Sequence, residues 1–208
     1  MFSFFKKSIA APDLAEGLWL AVLDWPAKHG AAFRTKFGNS LTKGSDDEPP
    51  PEGWENTAIE TMDDVLDEMV YFLSFGTDVA FFRALQDPTR TAARNGFGVH
   101  LRQFARDHRC KPLPPGEWVG DSWMWMQSGQ GPLELGRPLA NLDHRFALYA
   151  DALQRGKGQQ KSSGECVAYL LSAWCGILDL AFLVYATTLF TDQYLGVMDL
   201  IKPLRVTV

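Results

Sequence analysis

The chain has 208 residues, of which 46% are hydrophobic and 22% are charged, and its formal charge at pH 7 is −5. This balance is typical of a folded globular domain and excludes a chain that is disordered throughout. A net acidic chain is also a poor match for general binding to nucleic-acid phosphates, which requires a basic surface.

The first predicted element is a helix that opens at Pro12 and runs to about Lys36, because apolar residues recur there at helical spacing. Pro26 lies inside this pattern and has no backbone N–H to donate, so we expect a kink or break near Trp25. Residues 38–56 follow with a run of acids and consecutive prolines. They are predicted to form a polar, proline-rich loop.

The clearest amphipathic helix comes next. It is predicted to start near Thr57, with Glu60 three residues later in a capping-box pattern, and to continue to about Ser74. Gly76 is predicted to separate it from a short helix that ends at Leu85. One face of the longer helix is apolar. The opposite face is predicted to hold Glu60, Asp63, Asp64, Asp67, Glu68 and Tyr71.

A basic helix is predicted from Asp87 to about His108. Residues 112–140 are rich in proline and contain the clearest strand signal of the sequence. Two short segments there, 117–119 and 122–126, flank a Gly-Asp pair, which predicts a small β-hairpin.

The C-terminal part is predicted to contain an amphipathic helix over 141–155, an apolar helix over 165–190 and a short helix over 196–201. The complete pattern predicts an all-α fold, with one domain spanning residues 1–208. We expect a bundle of about six or seven helices and a small hairpin in the 112–140 loop.

The run Val167–Tyr185 is apolar enough to raise the alternative of a membrane span. Asp179 lies near the middle of the longer apolar run, where a charge in a bilayer costs roughly 2.5–3.5 kcal/mol. We therefore predict a buried helix at the centre of the bundle, in which Asp179 needs a polar partner or a solvent-facing position. A second route to a membrane is the aromatic and basic stretch 2–7, which is predicted instead to fold against the body.

The cysteines Cys110, Cys166 and Cys175 are odd in number and include no CxxC pair. They are predicted to be reduced and mostly buried, which favours a cytoplasmic location. The histidine spacings match no common metal motif, and the chain lacks a phosphate-binding loop and a GxSxG sequence. We predict no cofactor.

Charge is unevenly distributed along the chain. Residues 57–87 hold seven acids and one base, a formal charge of −6, whereas residues 88–111 hold six bases and one acid, a formal charge of +5. These segments most simply pair with each other. Alternatively, they present a bipolar surface to a charged partner, for which the candidate contact residues are Asp63, Asp64 and Asp67.

A tryptophan cluster in the predicted hairpin is the second candidate contact. Tryptophan is enriched at binding hot spots because it buries a large area and keeps one hydrogen-bond donor. A flap that completes the core explains the same cluster. The residues are Trp118, Trp123 and Trp125.

The functional hypothesis is a non-catalytic, cytosolic protein-binding module of the inhibitor, immunity or adaptor type, whose partner is another protein and not nucleic acid. One alternative is a Mg²⁺- or Mn²⁺-dependent hydrolase that uses Glu60, Asp64 and Asp67, which are spaced i, i+4, i+7. Such a site needs a second acidic helix, which the sequence does not offer. The other alternative is a membrane-associated helical protein, which we do not favour.

Overall fold

The computed structural model describes residues 7–38, 61–113, 116–119, 122–125, 137–158, 163–175, 177 and 179–208. Within these ranges the chain forms seven helices and two pairs of short strands, which confirms the predicted all-α fold. The helices are α1 (Ala11–Leu23), α2 (Trp25–Phe37), α3 (Met62–Ala84), α4 (Thr89–Asp107), α5 (Pro138–Gly158), α6 (Ser163–Trp174) and α7 (Leu180–Ile201). The strands are β1 (Ser8–Ala10), β2 (Gly116–Val119), β3 (Ser122–Trp125) and β4 (Arg205–Thr207).

The break predicted near Trp25 is confirmed. The helix α1 ends at Leu23, Asp24 lies between the two helices, and α2 begins at Trp25 with Pro26 in its first turn. A proline in the first turn removes no intrahelical hydrogen bond, so the chain restarts a helix at this point.

Both predicted ends of the next helix are wrong. The helix α3 begins at Met62, after an N-cap at Thr61, and continues through Gly76 to Ala84. A Cβ atom built on Gly76 would lie 3.5 Å from side-chain atoms of Phe190 and Gln193 in α7. The glycine therefore allows α7 to pack closely against an uninterrupted α3.

The basic helix and the hairpin are confirmed. The helix α4 runs from Thr89 to Asp107 without interruption and packs against α1 through Trp19, whose ring makes edge contacts with Phe97 and Phe104 at 5.7 and 5.9 Å. Strands β2 and β3 pair antiparallel, with Trp118 opposite Trp123.

The single apolar helix predicted over 165–190 is wrong, because the run is divided between α6 and α7. Asp179 is the N-cap of α7, and its carboxylate accepts a hydrogen bond of 2.8 Å from the backbone N–H of Ala181. The acid thus satisfies a free donor at a helix start, where it also interacts favourably with the helix dipole. The short helix predicted over 196–201 is the last part of α7.

Buried side chains from all seven helices form a hydrophobic cluster. The helix α3 lies at its centre, since nearly every residue from Val65 to Thr77 is buried. The three cysteines are buried and none of them forms a disulfide with another, as predicted. None of the described helices is both long and apolar enough to cross a membrane. Residues 2–6 and 39–56, where an arm and a loop are predicted, lie outside the described residues.

Candidate functional site

The predicted acidic residues lie on the first two turns of α3, and each one contacts a basic side chain of the same chain. Asp63 pairs with Arg34 of α2. Asp64 lies 3.0 Å from the Lys111 ammonium, and Asp67 lies 2.9 Å from Nδ1 of His108. We refer to Asp63, Asp64 and Asp67 as the acidic face. Glu60 lies outside the described residues.

Asp64 is held in place by a capping box at the start of α3. The backbone N–H and the hydroxyl of Thr61 donate to the Asp64 carboxylate at 3.0 and 2.9 Å, and the backbone N–H of Asp64 donates to the Thr61 hydroxyl at 3.2 Å. Burial raises the pKa of Asp64, but hydrogen bonds from Lys111 and Thr61 outweigh it and hold the pKa below its usual range. The capping box of α3 is therefore formed by Thr61 and Asp64 and not by the predicted pair Thr57 and Glu60, which lies outside the described residues.

Asp67 differs from Asp64 in the direction of its pKa shift. Its partner His108 caps the C-terminal end of α4 and stacks on the ring of Phe104, with a centroid distance of 3.9 Å. Burial raises the pKa of Asp67, and the hydrogen bond from His108 opposes this effect only in part. The two ends of the basic helix are both tied to α3, because Arg94 also forms a bidentate pair with Asp78 at 2.6 and 2.8 Å.

Beneath the acidic face lies a buried polar cluster, which the sequence pattern did not reveal. Glu68 and Tyr71 were expected on the polar face, but each is only 2% exposed. Arg145 of α5 donates from Nε to Glu68 at 2.8 Å, and Tyr149 donates its hydroxyl to the other carboxylate oxygen at 3.1 Å. Arg145 also donates to the backbone carbonyl of Lys111. The buried charge is thus paired and hydrogen-bonded on both oxygens.

The cluster borders a small cavity of about 20 Å³, lined by the acidic-face residues Asp64 and Asp67 and by Tyr71 and Cys110 among others. The Tyr71 hydroxyl is buried and has no hydrogen-bond partner of normal geometry among the described residues. Burial and the neighbouring Cys110 thiol raise the pKa of Tyr71, and burial raises the pKa of Cys110 to about 11. Both groups therefore stay protonated at neutral pH, so Cys110 does not supply a thiolate nucleophile here.

The ion pairs of the acidic face weigh against the alternative of a metal-dependent hydrolase. Asp64 and Asp67 are committed to Lys111 and His108, and a cationic ammonium beside a carboxylate opposes a second cation. Among the described residues, no group of three or more His, Cys, Asp or Glu side chains is arranged to hold a metal ion.

The tryptophan cluster lies on the two strands of the hairpin. The register pairs Trp118 with Trp123 and Gly116 with Trp125. The backbone thus brings the three tryptophans into one two-stranded unit, although the hairpin is distant in sequence from the acidic face.

The outer side of α7 is a surface that sequence analysis missed. The inward side of this helix buries Phe182, Ala186 and Phe190, while Leu180 is 74% exposed and Val184 is 58% exposed. The first charged residue of α7 is Asp192, so three turns of a surface helix carry no charge. The sequence feature that marks this surface is the long uncharged run itself, which equally predicts a buried helix.

Thr188 strengthens the apolar character of this side, whereas the half-buried Thr187 and Thr191 lie beside Gly164 of α6. The hydroxyls of Thr187, Thr188 and Thr191 donate to the carbonyls of residues 183, 184 and 187 at 2.8, 2.9 and 2.8 Å. Each hydroxyl is turned toward the helix's own backbone and is satisfied there. We call Leu180, Ala181, Val184 and Thr188, the exposed residues of this uncharged stretch, the α7 apolar face.

Comparison of the chain with protein-family models, with curated proteins and with solved structures found no match.

Proposed function

We propose that the protein is a non-catalytic helical module that binds another protein, and that the α7 apolar face is the centre of the contact. The observation that carries the proposal is the exposed, uncharged surface of α7, since α1 to α5 each turn charged residues outward. Helices at the surface of a globular protein normally present polar residues to water. Contiguous exposed apolar surface marks interaction sites.

The α7 apolar face has the composition of an interface core. The middle of a protein–protein contact is depleted of charge and is surrounded by a polar rim. Leu180 and Val184 supply the apolar centre, and the back-bonded hydroxyl of Thr188 adds no free donor that a partner would have to desolvate. Lys36 lies over the ring of Tyr185 and places a positive charge at the edge. A complementary partner presents an apolar surface with an acidic group near this edge.

The acidic face has a smaller role in this proposal than the sequence suggested. Each of its acids already contacts a basic group of the chain. Asp63 is the most exposed of the three, with 80% of its side chain exposed. A charge at the rim of an interface acts mainly on the association rate and on specificity. The tryptophan cluster remains a candidate contact. Because the three buried cysteines form no disulfide with one another, we place the module in the cytoplasm.

The test is a comparison of two valine variants in the cells from which the protein comes. Val184→Glu places a charge in the α7 apolar face, whereas Val99→Glu makes the same change on α4 at a valine that is 65% exposed. We expect the wild type and Val99→Glu to co-purify with one protein at fixed stoichiometry, and Val184→Glu to lose it. Binding of the purified partner, measured by calorimetry, must show the same order.

Four results would overturn the proposal. Three of them are the absence of any stoichiometric partner, a partner that Val184→Glu retains, and binding to lipid vesicles that Val184→Glu abolishes while no protein is bound. The fourth comes from analytical ultracentrifugation. If Val184→Glu converts a dimer of the purified chain into a monomer and no other protein is bound, the face joins two copies and the module hypothesis is wrong.

A further inference from the structure

A cleft of about 390 Å³ lies between α4 and α5, on a different part of the molecule from the α7 apolar face. This volume is within the range of sites that bind small molecules. Its residues on α4 recur every three or four positions from Thr91 to Arg102, so the cleft follows one side of the helix for three turns. Asn141 donates to the carbonyl of Cys110 at 2.7 Å, which places the start of α5 beside the C-terminal end of α4.

The floor of the cleft consists of buried apolar side chains. Phe97, Leu101 and Leu142 line it and are each at most 5% exposed, and the half-buried ring of Phe146 lies against Phe75 in an edge contact. A flat or branched apolar group can therefore be covered here without rearrangement of the core. Gly98 lies in the same wall, and a Cβ atom built on it would meet no other atom within 4 Å.

The two ends of the cleft differ in whether their charged side chains form ion pairs within the described part of the chain. At one end, Asp78 and Arg94 form the bidentate pair already described, so both charges are neutralised within the chain. At the other end, Arg102 of α4 and Asp143 of α5 both line the cleft and are exposed, but neither forms an ion pair with any described residue. A cation and an anion from opposing helices thus border one apolar floor.

We propose that this cleft is a binding site for a small zwitterion, an apolar or aromatic α-amino acid, whose carboxylate pairs with Arg102, whose ammonium pairs with Asp143 and whose side chain covers the phenylalanine and leucine floor. Guanidinium binds a carboxylate with two parallel hydrogen bonds, and a carboxylate accepts readily from an ammonium group. A ligand that carries both charges forms an ion pair with each of the two protein groups, whereas a ligand with one charge forms only one such pair. The chemistry of the cleft therefore selects for both charges together.

The ligand test uses calorimetry of the full chain with three compounds that share a phenyl ring. L-Phenylalanine has both charges, 3-phenylpropanoate lacks the ammonium group, and 2-phenylethylamine lacks the carboxylate. We expect L-phenylalanine to bind with a dissociation constant of about 1 mM or below, and about tenfold more tightly than either singly charged compound. L-Leucine, L-methionine and L-tryptophan extend the series to other apolar side chains.

Charge variants assign each contact separately. Asp143→Asn should remove the preference for L-phenylalanine over 3-phenylpropanoate, and Arg102→Gln should remove its preference over 2-phenylethylamine. Arg106→Gln is the matched control, because Arg106 is an exposed arginine one turn further along α4 that does not line the cleft. It should leave all three affinities unchanged.

A glycine variant closes the cleft without weakening the fold. Gly98→Leu fills open space and replaces a poor helix former, so it should abolish binding while the unfolding temperature does not fall. Gly17→Leu makes the same change at an open position of α1 and should retain binding. If none of the four amino acids shows saturable binding, or if Arg102→Gln and Asp143→Asn leave the ligand preferences unchanged, the proposal is wrong. Either result leaves the α7 contact unaffected.

Discussion

Glu68 of α3 and Arg145 of α5 form an ion pair in the protein core, with 2.8 Å between Oε2 and Nε and only 2% of either side chain exposed. The two residues lie far apart in sequence and join the central helix to the helix that forms one wall of the cleft. Removal of one partner from a buried pair leaves an uncompensated charge, which costs far more than the pair contributes.

We therefore expect Glu68→Gln to lower the free energy of unfolding by about 3–5 kcal/mol, measured by urea denaturation at pH 7. A double variant, Glu68→Met with Arg145→Met, should recover most of this loss, since no charge remains buried. Asp151→Asn, which breaks an exposed pair with Arg155, should change stability by less than ~1 kcal/mol. A double variant as unstable as the single one would contradict the argument.

Two buried tyrosines of the same cluster should respond differently to loss of the hydroxyl. Tyr149 donates to Glu68, so Tyr149→Phe leaves a carboxylate oxygen without a donor and should cost about 1–3 kcal/mol in thermal or chemical unfolding. The Tyr71 hydroxyl has no partner of normal geometry among the described residues, so Tyr71→Phe should be neutral or stabilising. Equal losses for the two variants would instead indicate a water molecule bound to Tyr71 in the adjoining cavity.

The capping box at the start of α3 should make stability depend on pH through Asp64. Because the folded-state pKa of Asp64 is lowered below 3.8, its contribution is fully present above that value and is lost as the pH falls through the folded pKa. Asp64→Asn should thus cost about 1 kcal/mol at pH 7, and the difference from wild type should shrink below pH ~4. Asp192→Asn, which removes an exposed acid of α7, is the control for the general effect of losing a surface charge. A difference that stays constant down to pH ~2 would exclude the carboxylate as its source.

Local patterns predicted the elements whose boundaries depend on local chemistry. Pro26 set the break between α1 and α2, and the basic helix predicted from Asp87 to about His108 corresponds to α4. The Gly-Asp pair and the alternating residues around it located the hairpin. In each case the decisive residues are neighbours in the chain, so no knowledge of the tertiary structure was needed.

Most of the failures involve residues whose environment is set by a distant segment. The start of α3, which a local capping box at Thr61 and Asp64 fixes, is the exception. From the sequence alone, Gly76 is expected to end a helix, but in the structure it allows α7 to pack closely against α3. Glu68 is expected at the surface, but in the structure it is buried beside Arg145. Asp179 is unfavourable inside a long apolar helix, but in the structure it is the N-cap of α7 and accepts a hydrogen bond from the Ala181 N–H. The cleft could not be predicted from the sequence for the same reason, since no local sequence pattern connects Arg102 with Asp143.

The parallel pairing of β1 with β4 joins segments that are almost two hundred positions apart, with Ser8 opposite Arg205 and the Arg205 N–H bonded to the Lys7 carbonyl at 3.0 Å. Closing so long a loop is entropically unfavourable until the intervening helices have brought the segments together. The strand pair should therefore assemble last during refolding. Protection of the β1 and β4 amides from hydrogen exchange then marks the moment at which the whole chain has reached its final topology.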